Sequence, residues 1–163
     1  MDNLFVKTLL SFIHNFATII WIGGMFINML VFMPTAQKIL DPANAGKLMQ
    51  AVMKRYRVVI YVCIVILGVT GIPMKIVNPN YISIINFENQ WEVISFVKHL
   101  FYGLLVLLAV VNFEIITPKV GKAAAANQPE KVAKLKKLGM MSGMLAMFSA
   151  IVILVLSSMM RFL

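Results

Sequence analysis

Residues 8–33 read TLLSFIHNFATIIWIGGMFINMLVFM, an apolar run interrupted by one histidine and two asparagines. The run exceeds the roughly 20 residues that an α-helix needs to cross about 30 Å of hydrocarbon. It is too long for the core of a signal peptide, and no small-residue cleavage site follows it. We therefore expect it to remain in the mature protein as a membrane-spanning helix.

Three further apolar runs, at residues 58–77, 93–116 and 138–160, are long enough to cross a bilayer. The chain is 61% hydrophobic and only 13% charged, and a soluble domain of 163 residues cannot bury that much apolar surface. The sequence predicts an all-α fold: one four-transmembrane-helix bundle domain over residues 1–163, with the lipid bilayer as its first partner.

The net charge of +9 is unevenly distributed, because eleven of the fifteen basic residues fall in the first and third connections. This is the positive-inside pattern, and it predicts a multi-pass protein of the cell inner (cytoplasmic) membrane with both termini extracytoplasmic. The basic runs are best explained as topology determinants that contact anionic lipid, and no nucleic acid partner is expected. The eleven residues are Lys38, Lys47, Lys54, Arg55, Arg57, Lys119, Lys122, Lys131, Lys134, Lys136 and Lys137.

Proline positions predict the helix boundaries. Pro34 is expected to end the first helix. Asp41-Pro42 pairs a favourable N-cap with proline at the first helical position, and Gln128-Pro129 repeats the signal before the fourth helix. The second and fourth helices should therefore begin well before their apolar runs.

The two halves of the chain echo each other, because three residues of each half recur at identical intervals. The matched pairs are His14 with Lys98, Asn28 with Asn112, and Pro34 with Pro118. Each half then continues with a second helix that starts at a proline. The pattern predicts a parallel two-helix repeat.

One face of the first helix is polar along its whole length, at about 100° per residue. A polar stripe in hydrocarbon belongs in the protein interior, so His14 is expected to point inward. The stripe comprises Lys7, Ser11, His14, Thr18, Trp21, Met25, Asn28 and Met29. The opposite face, expected to contact lipid, holds Phe16, Ile20, Gly23, Ile27 and Leu30.

His14 and His99 each lie about six residues into an apolar run, on two helices predicted to run in the same direction. Two imidazoles at one depth can bind a haem iron from opposite sides, so we predict haem b with these two axial ligands. Lys98 is the reserve for His99. Trp21, on the stripe, and Tyr102, on the third helix, are expected to line the cofactor. Such a protein would exchange electrons with a quinone or a membrane redox partner.

The few basic residues outside the two basic connections suit the same hypothesis. Lys7, Lys75, Lys98 and Arg161 lie at or near the predicted outer helix ends, where haem propionates would emerge. Taken singly, each is better explained as a side chain that reaches from the membrane to the interface.

Methionines offer an alternative chemistry. Met25 and Met29 are four residues apart near the inner end of the first helix, and thioethers are soft ligands for Cu(I). A copper pathway through His14, Met25 and Met29 is therefore the alternative to haem. Packed or lipid-facing methionine is the ordinary explanation of the same pattern.

The spaced motifs of residues 10–120 resemble the CopD-type copper-resistance membrane domain. The residues that carry the resemblance are His14, Trp21, Gly23-Gly24 and Pro34, then Arg55-Tyr56 and Gly68-Val69-Thr70-Gly71, then Lys98, Asn112 and Pro118. The related HemJ-type protoporphyrinogen oxidases share the histidine, the tryptophan and the third-helix lysine. That resemblance implies haem b near His14 and Lys98.

Four functions follow as hypotheses. The first is haem-based electron transfer, and the second is copper transport or resistance. The resemblance to HemJ adds an oxidoreductase that acts on protoporphyrinogen. The last is a structural subunit of a larger membrane complex, with the polar stripe packed against partners or against a second copy of the chain.

Overall fold

A computed structural model describes residues 3–163 of the chain, so residues 1 and 2 of the predicted domain lie outside the described part. This part is all-helical and contains no strand. Its four long helices are α1 (Leu4–Ile39), α2 (Pro42–Ile76), α3 (Gln90–Ala125) and α4 (Pro129–Met159). Each is long and apolar enough to cross a membrane, which confirms the predicted fold class.

The first pair of helices is joined by a tight turn whose chemistry the sequence predicted. Asp41 caps α2, since its side chain accepts hydrogen bonds from the backbone N–H groups of Ala43 and Asn44 at 3.1 and 3.0 Å. Those bonds, with a third from the Asn44 side chain, hold the pKa of the Asp41 carboxyl below its usual range. Pro42 then occupies the first helical turn, where its missing N–H costs no hydrogen bond.

The second pair is joined by a Schellman motif at the end of α3. Asn127 adopts the left-handed region, with φ 52°, and asparagine tolerates that conformation better than most residues. The backbone N–H of Gln128 then bonds the carbonyl of Ala123, and that of Asn127 bonds the carbonyl of Ala124. Pro129 begins α4 immediately afterwards.

The described residues form two compact units, which divide between Ser83 and Ile84. Helices α1 and α2 pack together in the first unit, and α3 and α4 pack together in the second. Each unit is thus an antiparallel helical hairpin. In each hairpin we call the end with the tight turn that links its two helices the linker end. The opposite end, where the segment between the two hairpins is attached, is the open end.

Three π-helical turns, in which each N–H bonds the carbonyl five residues back, interrupt the long helices. They lie at Ile19–Gly23 and Asn28–Phe32 in α1 and at Val111–Ile116 in α3. The expectation that Pro34 ends the first helix is wrong, because α1 continues to Ile39. The preceding π turn shifts the hydrogen-bond ladder and places Pro34 at the start of a new α-helical segment, where proline is tolerated.

The two hairpins share this arrangement. In each, an asparagine lies in a π turn and a proline follows six residues later at the start of the last α-helical segment. The repeat read from the sequence is therefore present in the elements of both units.

The helices are longer than a bilayer requires. At about 1.5 Å per residue, the 35 residues of α2 extend over roughly 50 Å, whereas the hydrocarbon core is about 30 Å thick. Large apolar side chains are exposed along the middle of all four helices, as expected for surfaces that face lipid. The eleven clustered basic residues are exposed at the linker ends.

Candidate functional site

His14 is the centre of a polar cluster inside the first hairpin. The ring is half-buried on α1, and its Nδ1 atom lies 2.8 Å from Oγ1 of Thr70 on α2. Thr70 is buried, and its hydroxyl also bonds the carbonyl oxygen of Ile66 at 2.6 Å. The predicted inward orientation of His14 thus has a specific partner on the neighbouring helix.

These bonds favour one tautomer of the neutral His14 ring. A hydroxyl has one hydrogen, and the carbonyl of Ile66 can only accept, so Thr70 donates its hydrogen to Ile66. Thr70 Oγ1 must then accept the hydrogen on Nδ1 of His14. In a neutral imidazole the other nitrogen, Nε2, carries the lone pair.

Gly71 provides the surface beneath the ring. A Cβ atom at this position would lie 3.4 Å from Cε1 of His14 and 3.9 Å from Nδ1. Both distances are ordinary van der Waals contacts, so the α2 backbone at Gly71 lies close against the ring. Thr70 and Gly71 belong to the Gly-x-Thr-Gly segment noted in the sequence. Through these two contacts the segment positions the His14 ring.

A second cluster lies farther toward the linker end of the first hairpin. The hydroxyl of Tyr56 on α2 donates to the backbone carbonyl of Trp21 at 2.9 Å, within the first π turn. The Trp21 side chain is buried. Gly24 leaves room for the tyrosine, since a Cβ atom there would lie 2.8 Å from the phenol oxygen.

The polar stripe of α1 is inward over most of its length. Ser11, Thr18 and Asn28 are half-buried, while the predicted lipid-facing residues Phe16 and Ile27 are more than half exposed. The exceptions at the predicted lipid face, Ile20 and Gly23, are half-buried. Both lie in or beside the first π turn, where the extra residue rotates the following positions away from the ideal α-helical spacing.

In the second hairpin, Lys98 and His99 differ in exposure. Lys98 is half-buried, whereas His99 is exposed, and Nδ1 of His99 lies 2.6 Å from the carbonyl oxygen of Ser95 on its own helix. Because a carbonyl can only accept, Nδ1 is the donor here as well. Tyr102 is half-buried. Lys98 is therefore the less exposed of the two neighbouring residues.

Sequence reasoning missed Glu92, which is fully buried at the open end of the second hairpin. Its backbone N–H bonds the side chain of Asn89, the N-cap of α3, at 2.7 Å. The available signal was the spacing Asn-x-x-Glu at a helix start, which is a variant of the capping box. Ser95, one turn farther along α3, is also buried.

The remaining predicted residues are placed as follows. Lys7 and Arg161 are exposed near chain ends, and Met25 and Met29 are half-buried on α1. The second π turn starts between the two methionines, so they are not spaced as on a regular α-helix. Among residues 3–163, no group of three or more His, Cys, Asp and Glu side chains could hold a metal ion.

Four long apolar helices with lipid-facing exposed surfaces define a multi-pass α-helical integral membrane protein. The chain belongs to the family described as predicted integral membrane protein (DUF2269), which it matches over residues 8–160. No curated protein and no solved structure matches it. The family description mentions neither CopD-type nor HemJ-type proteins, so that resemblance stays a prediction.

Proposed function

We propose that this membrane protein binds haem b through Nε2 of His14 and transfers electrons within the bilayer. The observation that carries the proposal is the bond between Nδ1 of His14 and the buried hydroxyl of Thr70. Histidines that ligate metals almost always donate their other ring nitrogen to a hydrogen-bond acceptor, which fixes the tautomer and raises the basicity of the ligating nitrogen.

The surroundings of His14 fit such a ligand. An ionisable residue in a membrane helix is costly and is a functional candidate by default. Here the ring is hydrogen-bonded to the Thr70 hydroxyl, and the backbone at Gly71 lies close against it. Thr18, one turn farther along α1, bonds the carbonyl oxygen of His14 at 2.9 Å. The ring is thus oriented before any cofactor binds.

The bound haem would supply a one-electron change of iron oxidation state. The residues of the chain would orient the His14 ring, raise the basicity of its Nε2 atom and exclude water from the site. Thr70 passes the polarisation of the Ile66 carbonyl to the His14 ring, because hydrogen bonds in a chain strengthen each other. The buried indole of Trp21, two turns along α1, adds apolar surface that excludes water.

The second axial ligand stays a prediction from the sequence: His99, with Lys98 in reserve. Lys98 holds the repeat position that corresponds to His14, and it is half-buried while His99 is exposed. The electron partner, a quinone or a membrane redox protein, is part of the proposal. Copper passage through Met25 and Met29 and porphyrinogen oxidation stay predictions from the sequence.

The test is an absorption spectrum of purified protein, oxidised and reduced, from cells supplied with haem precursors. We expect a sharp reduced α-band in the wild type and its loss in His14→Ala. Thr70→Val should keep the haem but shift the reduction potential, because the valine cannot accept the Nδ1 hydrogen. Asn15→Ala is the matched control, since Asn15 is the exposed neighbour of His14 and should leave the spectrum unchanged.

Two results would count against the proposal. A colourless wild-type preparation from haem-replete cells would refute it. A His14→Ala variant that keeps the α-band would remove His14 from the ligand set. If instead His14→Ala and Thr70→Val only lower the unfolding temperature of a colourless protein, their hydrogen bond serves helix packing alone.

A further inference from the structure

A shallow groove runs along α4 at the linker end of the second hairpin. Three lysines and three apolar residues line it. They are Lys131, Lys134, Leu135, Lys137, Leu138 and Met141. All six lie on the first three to four turns of one helix, so the groove is a feature of the helix surface.

The lining changes character along the helix. The lysines occupy the half nearer to the linker, and Leu138 and Met141 occupy the other half. Lys137 is also the last charged residue before the apolar run 138–160, which contains none. The groove therefore crosses the boundary between the charged extension of α4 and its membrane-spanning part, over roughly 15 Å.

The charge around the groove is strongly positive. The lysine side chains are exposed, and Glu130 is the acidic residue of the first turn of α4. Helix α3 packs against α4 near its own linker end, and its exposed lysines Lys119 and Lys122 are not part of the groove lining. A ligand for this groove should carry negative charge at one end and an apolar chain at the other.

We propose that the groove is a binding site for an anionic phospholipid. The headgroup phosphate would lie among the ammonium groups of Lys131, Lys134 and Lys137, and an acyl chain would lie along Leu138 and Met141. Basic side chains beside a membrane helix attract anionic lipids, and lysine can extend its apolar stem along lipid while its charge stays at the interface. This inference is independent of haem binding.

The position of the groove favours a lipid over a soluble anion. Free phosphate would use the lysines but leave the apolar half of the groove unexplained. A diffuse attraction to the membrane surface would use all lysines of the linker end equally. A bound phospholipid predicts instead that the groove lysines matter more than their neighbours.

The chain offers a matched comparison for the test. The groove variant is Lys131→Gln/Lys134→Gln/Lys137→Gln. The control variant, Lys119→Gln/Lys122→Gln/Lys136→Gln, loses the same charge from exposed positions of the same hairpin outside the groove. Both proteins are purified from vesicles of equal amounts of phosphatidylcholine and phosphatidylglycerol, and retained lipid is identified by native mass spectrometry.

The wild type and the control should retain phosphatidylglycerol, and the groove variant should lose it. At roughly a fivefold loss of affinity for each lysine removed, the groove variant should bind on the order of a hundredfold more weakly. Equal losses in the two triple variants would overturn the proposal in favour of diffuse attraction. Inorganic phosphate should not raise the unfolding temperature in detergent, and a rise matching that from phosphatidylglycerol would overturn the lipid assignment.

Circular dichroism checks that both triple variants are folded. If the triple groove variant is unfolded, two single variants give the same comparison. Lys134→Gln removes one charge from the groove, and Lys136→Gln removes one charge outside it. About a fivefold weaker retention in Lys134→Gln alone supports the site, and equal retention in the two contradicts it.

Discussion

The glycines of the first hairpin differ in what a side chain would meet at each. A Cβ atom at Gly24 would lie 2.8 Å from the phenol oxygen of Tyr56, whereas one at the adjacent Gly23 would have nothing within 4 Å. The tyrosine cannot yield freely, because its hydroxyl is bonded to the carbonyl of Trp21. One glycine of the pair is therefore required by packing, and the other is not.

We expect Gly24→Ala to destabilise the protein by roughly 1–3 kcal/mol, the usual cost of overpacking. Gly23→Ala should be neutral or stabilise by up to about 1 kcal/mol, since alanine favours helix. Thermal unfolding in detergent, followed by circular dichroism, measures both. Tyr56→Phe, which removes only the hydroxyl, should cost about 1 kcal/mol. Equal unfolding temperatures for the two glycine variants would contradict the proposed contact.

The sequence was sufficient to single out the residues around His14. It was not sufficient to predict all of the contacts between them. His14 was predicted to face inward because polar groups in hydrocarbon need partners, and it does. The choice of Thr70 as partner required the register between α1 and α2. Glu92 was missed because burial of a carboxyl depends on neighbouring helices, which local composition does not reveal.

At the scale of the helices, the tight turns fix which residues face each other. His14 and Thr70, Trp21 and Tyr56, and Asn112 and Ser142 each lie at nearly equal distances along the chain from the turn of their hairpin. Antiparallel pairing about a known turn thus predicts the level of each partner to within about one helical turn, whereas the partner itself depends on the register between the helices. Positions beyond a π turn could not be predicted by the 100° rule, because nothing in the composition marks the extra residue.

The two repeated asparagines differ in their partners, and this predicts different mutational costs. Nδ2 of Asn112 donates to the hydroxyl of Ser142 on α4 at 2.7 Å. Nδ2 of Asn28 lies 3.8 Å from the sulfur of Met53, a weak acceptor, and its buried Oδ1 atom has no hydrogen-bond partner. The bond of Asn112 joins two helices strongly, whereas that of Asn28 does so weakly.

We expect Asn112→Leu to cost about 1 kcal/mol of stability, because it removes the bond and leaves the serine hydroxyl without its donor. Asn28→Leu should be neutral or stabilising, since it removes a buried carbonyl oxygen that lacks a partner. Unfolding temperatures of the two variants in one detergent give the comparison. A larger loss for Asn28→Leu would show that its side chain has a partner of its own.

For the molecule as a whole, composition and length were sufficient to predict four spanning helices, because the lipid-facing apolar excess is a global property. The positive-inside rule predicts that the basic linker ends lie in the cytoplasm and that both termini lie outside it.

Cysteine labelling tests the orientation, because Cys63 is the single cysteine of the sequence and is buried. In a Cys63→Ser background, Glu88→Cys reports on the segment between the hairpins and Gln50→Cys on the basic linker end. Both positions are exposed. A membrane-impermeant maleimide should label Glu88→Cys on intact cells and Gln50→Cys only after permeabilisation. The reverse pattern would show that both termini are cytoplasmic.

The π turns give the first helix an unusual response to insertions and deletions. Removing one residue from Ile19–Gly23 would convert that turn to regular α-helix and rotate everything before it by roughly 100° relative to everything after it. His14 would then leave Thr70 while Pro34 kept its place. The loss of a single codon in evolution can therefore change the direction of the histidine, together with the preceding part of α1, and leave the tight-turn end of the hairpin unchanged.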